Sequence, residues 1–281
     1  MQTQAPFYSA RQLFPRGLEQ PHGSLRFGAD ALLLAAFAAR GVEGMSEARR
    51  KQLAAADLGC GCGAALLALA LRCESVTGLG LEREAPLVQA ATANALHLGL
   101  ADRLHFAQAD LADKAFMAAL PAAFGNRAGS LDLVLANPPY GVEGRPSPSH
   151  LRERAMRGAQ GKQGTHVAED RTQVLTVFCR AAAALLRHQG YFFCIYDAPA
   201  LPLLSCALDA AGFGLRGLLP VRTHTSKPAL RVLVLARKNT AHQCAIEAPL
   251  TLHTGKHCKP PADTGSPRWS AQALRFCPWL D

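Results

Sequence analysis

Asn137-Pro138-Pro139-Tyr140 combines an amide, two rigid prolines and an aromatic ring directly after an apolar run at residues 131–136. The run has the length and composition of a buried strand, and it is bounded by Gly129-Ser130 and by the prolines. Each proline fixes its own φ and restricts the residue before it, so the amide leaves the strand at a set angle. Ligands bind at the carboxyl ends of strands in open α/β sheets. We therefore expect these four residues, the tetrad, to belong to a functional site; the plain alternative is a Pro-Pro loop.

A second candidate group is Asp57-x-Gly59-x-Gly61-x-Gly63, which lies between an apolar run and a helical stretch. Glycines at such a turn let the backbone bend sharply and approach a ligand closely. Glu82 lies 19 residues beyond Gly63, at the end of the next predicted strand. A carboxylate at that position can accept both hydroxyls of a ribose. These residues predict a nucleoside-binding site.

The glycine spacing distinguishes between nucleotide ligands. A dinucleotide-binding turn has G-x-G-x-x-G, whereas this chain has G-x-G-x-G with Asp57 two residues before the first glycine. Asp57 would repel a phosphate and attract an ammonium group. Asp110, which follows the third predicted strand, can bind the exocyclic amine of an adenine. Together, Asp57, the glycines, Glu82 and Asp110 favour S-adenosylmethionine as the ligand. Taken singly, Asp57 could instead cap the helix turn, and Glu82 and Asp110 could be solvated residues at strand ends.

Alternating apolar runs and helix-periodic stretches must position these residues. Strands are predicted at 53–58, 76–81, 104–107, 131–136, 191–196, 213–221 and 230–236. Helices are predicted from Gly28 to about Ala39, where Asp30 could be the cap, and at 64–72, 86–98, 113–124, 170–187 and 199–211. This alternation predicts a doubly wound, seven-stranded, mostly parallel α/β sheet with a terminal antiparallel hairpin at its edge.

The domain organisation follows from where this alternation begins and ends. We predict an N-terminal extension over 1–27, one domain over 28–238 and a C-terminal tail of little periodicity over 239–281. Residues 141–168 directly follow the tetrad and are rich in Gly, Arg, Ser and Pro. A loop of that length inside a compact domain is usually functional or disordered, so we expect a flexible basic loop there.

Composition restricts the class of protein. In 281 residues the hydrophobic fraction is 49%, enough for a sizeable core, and the net charge of +9 indicates a polyanionic partner. The nine cysteines show no paired CxxC spacing, and the His253, His257 and Cys258 group lacks a fourth ligand, so no disulfide framework and no metal site are expected. The N-terminus lacks the features of a signal peptide, and no apolar stretch reaches membrane-spanning length. We expect a cytoplasmic protein.

Together, the glycine-rich turn with Asp57, Glu82, Asp110 and the tetrad resemble the motifs of class I methyltransferases. The tetrad resembles the corresponding motif of the branch whose members methylate adenine N6, cytosine N4 or a glutamine side chain. Within that branch the chain is similar to small bacterial tRNA adenine-N6 methyltransferases, which modify the base beside the anticodon of a valine tRNA. The resemblance covers about residues 10–255 and includes 26–34, 166–170, 230–234 and 249–252. The insert at 141–165 and the tail depart from it.

The resemblance implies a Rossmann-like fold and roles for individual residues. Phe27 and Asp30 would close the cofactor pocket, with Gly59, Gly61, Gly63 and Asn137 lining it. The Asn137 side-chain oxygen and the Pro138 carbonyl would each accept one N–H of a base, stabilising charge that develops on its nitrogen. Pro139 completes the rigid turn, and Tyr140 would stack on a flipped base and align its amine with the methyl donor.

Basic residues directly after the tetrad are candidates for contacts with RNA phosphates. They are Arg145, Arg152, Arg154, Arg157 and Lys162. A solvated flexible loop is the plain alternative, and both hold if the loop orders on binding. The expected partner is tRNA or another RNA with an unpaired or flippable base.

Several other functions stay open at this point. A glutamine-N5 methyltransferase of release factors usually carries a long helical domain before the glycine motif, whereas about 56 residues precede Asp57 here. An rRNA adenine or guanine N-methyltransferase is a further alternative. A DNA methyltransferase would need a target-recognition domain, for which the chain has no room. A non-catalytic RNA-binding protein with a relic cofactor fold is opposed by the complete tetrad.

Overall fold

The computed structural model describes residues 5–113, 129–140, 167–254 and 268–281, together with residues 115, 117 and 119. Within these ranges nine strands form one sheet. They are β1 Leu53–Leu58, β2 Val76–Glu82, β3 Leu104–Gln108, β4 Leu131–Ala136, β5 Leu186–Asp197, β6 Phe213–Arg222, β7 Arg231–Lys238, β8 Ala245–Ile246 and β9 Leu250–Thr251.

The sheet has the order β3-β2-β1-β4-β5-β7-β6-β8, with β9 also pairing with β6. Strands β1 to β5 pair in parallel, and β7 runs antiparallel to both β5 and β6. The predicted doubly wound α/β sheet is therefore confirmed. The predicted terminal hairpin is present as the antiparallel pair β6 and β7, with β7 next to β5. One detail differs, because the two-residue strands β8 and β9 add to the predicted seven. Strands of two residues are too short to produce a periodic pattern.

Helices cover both faces of the sheet. They are α1 Ala5–Leu13, α2 Ala29–Glu43, α3 Glu47–Arg50, α4 Ala64–Arg72, α5 Ala85–His97, α6 Val167–Leu185, α7 Leu201–Ala210 and α8 Ala271–Phe276, with 3-10 turns at Ala198–Ala200 and Pro278–Leu280. Leu133 and Leu135 of β4 pack with α2 and α4 on one face, while Val134 and Ala136 pack with α6 and α7 on the other. A strand buried on both faces is apolar throughout, which explains the continuous apolar runs.

Several boundaries differ from the predictions. Helix α2 continues to Glu43, and the four-residue helix α3 lies where no element is predicted. Asp30 does not cap α2, because Gly28 is the N-cap residue and the Asp30 carboxylate bonds elsewhere. Strand β5 begins at Leu186 directly after α6. The helix predicted over 113–124 lies mostly outside the described residues.

The segments before and after the central domain pack on the same face of the sheet. Arg11 of α1 donates from Nε to the Leu98 carbonyl at 2.9 Å. The rings of Phe14 and Trp279 meet edge to face with centroids 5.3 Å apart. Phe14, Leu250 and Cys277 are buried in the cluster that contains α2. The two chain ends thus extend the core on this face.

We expect Leu250→Ala to lower the free energy of unfolding by about 2–5 kcal/mol. Leu250 is only 2% exposed although its segment contains little regular structure. Ile246, four residues earlier, is 73% exposed, so Ile246→Ala is the matched control and should change stability by less than about 0.5 kcal/mol. Urea denaturation measures both. Equally small effects would show that the tail adds nothing to the core.

Candidate active site

A cavity of about 500 Å³ opens at the carboxyl ends of β1 and β4. The strand order reverses at this point, since β1 lies between β2 and β4, and such switch points form ligand crevices. Eight of the predicted cofactor residues line the cavity: Phe27, Asp30, Asp57, Gly59, Gly61, Glu82, Asp110 and Asn137. Pro139 and Tyr140 also line it. Gly63 and the buried Pro138 do not line the cavity, although each lies between two residues that do.

The turn between β1 and α4 brings backbone close to the cavity. Gly59, Gly61 and Gly63 all have positive φ, at 67°, 57° and 86°, a region that glycine enters without steric cost. A Cβ on Gly59 would lie 3.2 Å from the Phe178 ring, whereas a Cβ on Gly61 would meet nothing within 4 Å. Gly61 therefore leaves open space where a ligand can approach the backbone.

Asp57, near the end of β1, is a buried acid with an unsatisfied oxygen. It is 2% exposed, and its Oδ2 has no hydrogen-bond partner among the described residues. Burial raises the pKa of Asp57 to about 8, the nearby Glu82 charge adds to the rise, and the Leu66 backbone N–H opposes it. An unpaired buried carboxylate is costly. A cation entering the cavity would remove that cost.

Glu82 and Asp110 are held in place by backbone donors. The Gly61 N–H donates to Glu82 Oε2 at 3.0 Å, and the Glu84 N–H donates to Glu82 Oε1 at 3.0 Å. The Ala112 N–H donates to Asp110 Oδ1 at 2.9 Å. Each carboxylate oxygen can accept more than one hydrogen bond. Both acids therefore keep acceptor capacity for a ligand while their orientations are fixed.

The two cysteines of the turn have a packing role. Cys60 and Cys62 are both buried. Burial raises the pKa of Cys62 to about 11 and raises the pKa of Cys60 well above its ordinary value. A neutral thiol is a poor nucleophile and a poor metal ligand. Among the described residues, moreover, no group of three or more His, Cys, Asp or Glu side chains could hold a metal ion.

The tetrad follows β4 and enters a polar network. The Tyr140 hydroxyl lies 2.6 Å from Asn137 Oδ1 and 2.8 Å from Asp30 Oδ2. The Tyr196 hydroxyl donates to the Pro139 carbonyl at 3.4 Å, and the Tyr140 and Tyr196 rings meet edge to face with centroids 5.4 Å apart. These contacts fix the tetrad at the cavity wall.

Arg231 completes this network, although its sequence context predicts no role for it. Its Nε donates to Asp30 Oδ2 at 3.0 Å and its Nη1 to Asp197 Oδ1 at 2.9 Å. Its guanidinium carbon lies 4.1 Å from the centre of the Tyr140 ring. One face of that ring is therefore covered in this conformation, so a stacking base would need the opposite face. The sequence contains only an arginine near the start of the strand predicted at 230–236, which does not indicate its partners.

The predicted phosphate-binding residues, Arg145, Arg152, Arg154, Arg157 and Lys162, lie outside the described residues. Another basic and aromatic set lies at the edge of the sheet that carries the tetrad. It comprises Arg222, His224, Lys227, His253, Arg268 and Trp269, which we call the β6–β7 surface. The His253 and Trp269 rings pack with centroids 4.7 Å apart. No Asp or Glu occurs in 222–230, 250–254 or 268–270.

Strand pairing fixes the position of the β6–β7 surface relative to the tetrad. Asp197, at the end of β5, pairs with Arg231, and Arg231 pairs with Val221 near the end of β6. His253 donates its backbone N–H to the Thr223 carbonyl at 2.9 Å. Because Arg231 also contacts Tyr140, the β6–β7 surface and the tetrad share one edge.

Comparison with solved structures agrees with this architecture. A protein predicted to be an O-methyltransferase, from Agrobacterium tumefaciens, matches with a TM-score of 0.58 and 24% identity, over 83% of this chain and 92% of that chain. A protein proposed to be an RNA methyltransferase, from Pyrococcus horikoshii, matches with a TM-score of 0.51 and 15% identity, over 84% and 97%. No protein-family model and no curated protein sequence matches the chain. The likeness to solved structures shows that the chain has the Rossmann-like fold of class I methyltransferases.

Proposed function

We propose that the protein transfers a methyl group from S-adenosylmethionine to an exocyclic amino group, and that this group is adenine N6 in RNA, with tRNA the first candidate. The observation that carries the proposal is the cavity at the strand switch point. Its walls combine three acids suited to an aminoacyl nucleoside with the amide of Asn137. The turn also lacks the G-x-G-x-x-G spacing of a dinucleotide-binding turn, which disfavours that ligand.

The residues present fit S-adenosylmethionine. The unsatisfied Oδ2 of Asp57 would pair with the ammonium group, and Glu82 would accept from the ribose hydroxyls. Asp110 would accept from the adenine amine. The open space beside Gly61 accommodates a ligand against the backbone. When bound, the cofactor supplies an electrophilic methyl group on a sulfonium centre.

The chain's own residues would then position the acceptor amine. Asn137 Oδ1 and the Pro138 carbonyl each accept one N–H, which points the nitrogen lone pair away from them. As the nitrogen becomes positively charged, these fixed dipoles stabilise that charge without rearrangement. No protein nucleophile takes part, in keeping with the neutral thiols of Cys60 and Cys62. The surplus proton leaves to water after transfer.

Charge and surface composition support RNA as the class of substrate. The net charge is +9, and the β6–β7 surface presents arginine, lysine and flat rings at the edge that carries the tetrad. Basic residues neutralise phosphates, while aromatic rings stack on unpaired bases. Burial lowers the pKa of His253, and the neighbouring His224 acts in the same direction. His253 therefore contributes to this surface as a neutral flat ring.

Two measurements test the proposal. Calorimetry should detect binding of S-adenosylmethionine, and failure to bind would favour a relic fold. Incubation with labelled S-adenosylmethionine and total tRNA, followed by nucleoside mass spectrometry, should yield N6-methyladenosine. Label in a peptide carrying a release-factor glutamine, with none in RNA, would overturn the choice of substrate. Loss of N6-methyladenosine from the tRNA of a strain lacking the protein would support it.

RNA affinity is expected to fall steeply with salt, at least about tenfold between about 50 mM and 200 mM. Arg268→Glu should lower affinity and reduce the slope of log affinity against log salt by about one or more. Arg49→Glu makes the same charge change on α3, which precedes β1 at the opposite edge of the sheet, and should have a smaller effect. Filter binding to unmodified tRNA measures all three proteins. A flat salt dependence would contradict phosphate recognition.

A further inference from the structure

The Tyr140 hydroxyl faces two oxygens but carries one hydrogen. Its Oη lies 2.8 Å from Asp30 Oδ2 and 2.6 Å from Asn137 Oδ1. Burial, and secondly the charge of Asp30, raise the pKa of Tyr140, so the hydroxyl keeps its hydrogen. A phenol donates one hydrogen bond and accepts others. If Asn137 Oδ1 faces Tyr140 Oη, only one of the two oxygen–oxygen contacts can contain a hydrogen, and the other is not a hydrogen bond.

Asp30 is the better acceptor for that single hydrogen. Its Oδ2 also accepts from Arg231 Nε at 3.0 Å. A carboxylate paired with arginine has no hydrogen to donate, and hydrogen bonds to ionised acceptors are roughly twice as strong as neutral ones. The hydroxyl hydrogen therefore goes to Asp30, and the lone pairs of Oη remain directed at Asn137.

We propose that Asp30 and Tyr140 are positioning residues that orient the Asn137 amide, so that Nδ2 donates to Tyr140 Oη and Oδ1 points away from it. A half-turn of the amide exchanges the two atoms and leaves their neighbours in place. Asn137 lines the cavity, and the terminus away from Tyr140 bonds to no residue in the described part of the chain. That terminus is the one a ligand can reach.

The consequence concerns the chemistry of the acceptor group, and it rests on the proposed function. An amino group donates N–H bonds, so the amide terminus that meets it must be an oxygen. If Nδ2 faced the cavity, two donors would oppose each other. In this arrangement Arg231 and Tyr140 both donate to Asp30, and Tyr140 Oη accepts from Asn137 Nδ2. The oxygen of the Asn137 amide therefore faces the cavity as an acceptor.

Substitutions at two positions test the orientation by methylation kinetics. Asp30→Asn introduces an amide that can donate to Tyr140, so the hydroxyl hydrogen would turn to Asn137 Oδ1 and hold it away from the substrate. We expect kcat to fall about 100-fold, and calorimetric titration of S-adenosylmethionine into the variant determines separately any change in cofactor affinity. Tyr140→Phe leaves the Asn137 amide free to rotate and should cost about tenfold.

The double variant gives the decisive kinetic result. Asp30→Asn combined with Tyr140→Phe should be as active as Tyr140→Phe alone, so that the second change rescues the first about tenfold. Losses that multiply would overturn the inference. Asp197→Asn removes a different partner of Arg231 without touching Tyr140 and should keep kcat within about threefold. Thermal unfolding of each variant checks that the fold is retained.

Nuclear magnetic resonance tests the hydrogen bond without any substrate. The chain contains four asparagines, so ¹⁵N-asparagine labelling gives few side-chain signals, and loss of a signal in Asn137→Ala assigns Asn137. Tyr140→Phe should shift one Asn137 Hδ2 upfield. The shift without any methylation would leave the orientation standing and remove the proposed function. Methylation without the shift would support the proposed function and overturn the inferred orientation of the Asn137 amide.

Discussion

Replacement of Asn137 by alanine is expected to lower the rate of methyl transfer about 1,000-fold while S-adenosylmethionine affinity stays within a few-fold. One preorganised acceptor in a dry site contributes about 10²–10³ in rate, and loss of the amide also leaves the acceptor amine free to misalign. Cofactor affinity should persist because Asp57, Glu82 and Asp110 remain. The amide thus acts on the transferred group and not on the donor.

Single-turnover methylation of RNA and calorimetric titration of the cofactor separate these two effects. Gln243→Ala provides a matched control, since it removes an exposed amide between β7 and β8 and should leave both quantities within about twofold. Asn137→Ala should also unfold at nearly the wild-type temperature, because the side chain lies at a cavity wall. A variant that retains wild-type turnover would exclude the proposed role of the tetrad.

Much of the fold could be predicted because its determinants are local. Strands β1 and β4 are apolar runs ended by a glycine turn or by prolines, and their observed bounds equal the predicted ones. The position of Glu82 at the end of β2 follows from the same kind of pattern. Once parallel strands alternate with helices, their carboxyl ends must share an edge. The acids and the tetrad were therefore placed together without any structural information.

The contacts around the tetrad could not be predicted in the same way. Arg231 bonds to Asp30 across 201 positions in the chain, and no local pattern relates residues so far apart. Its position depends on the insertion of β7 between β5 and β6, which turns the start of β7 toward the carboxyl edge of β5. The same insertion determines what Asp30 does: an acid in the first turn of a helix is a plausible cap until an arginine reaches it from another strand.

The termini show a similar limit. Their sequences have little periodicity, yet Phe14 and Cys277 are buried and Trp279 packs against Phe14. Burial here depends on single aromatic and apolar residues that meet across the fold. A periodic pattern is absent because the buried residues lie in short irregular segments. Only the assembled face of the sheet reveals that both ends belong to one core.

S-adenosylmethionine affinity is expected to rise with pH, by up to about tenfold per unit between roughly pH 5.5 and 7. Burial raises the pKa of Asp57 to about 8, so the free protein holds this carboxyl mostly protonated over that range. An ammonium group requires the carboxylate, and even a chain-terminal α-amino group, with its pKa of about 7.7–8.0, stays mostly charged up to pH 7. Binding must therefore release a proton, which calorimetry in buffers of different ionisation enthalpy measures.

The raised pKa of Asp57 has the opposite effect on the stability of the free protein, which should fall as pH rises. The ordinary pKa of the Asp57 carboxyl is 3.8, which the unfolded chain should keep, whereas the folded value is about 8. Between these values the folded state binds more protons than the unfolded state. The contribution of Asp57 to stability is thus full below about pH 4 and is lost as pH rises toward about 8. Cofactor binding therefore requires the ionised form of Asp57, whereas folding of the free protein favours the protonated form.

Asp57→Asn separates the effect of this carboxyl on cofactor affinity from its effect on stability. We expect cofactor affinity at about pH 7.5 to fall about 100-fold, because a charge-assisted contact becomes a neutral one, and the pH dependence of affinity to disappear. The free variant should be at least as stable as the wild type at about pH 8 and above, where the wild type carries an unpaired buried charge. Asp209→Asn, at a side chain that is 75% exposed, is the control and should alter neither quantity. Wild-type affinity with an unchanged slope in Asp57→Asn would show that the ammonium group binds elsewhere in the cavity.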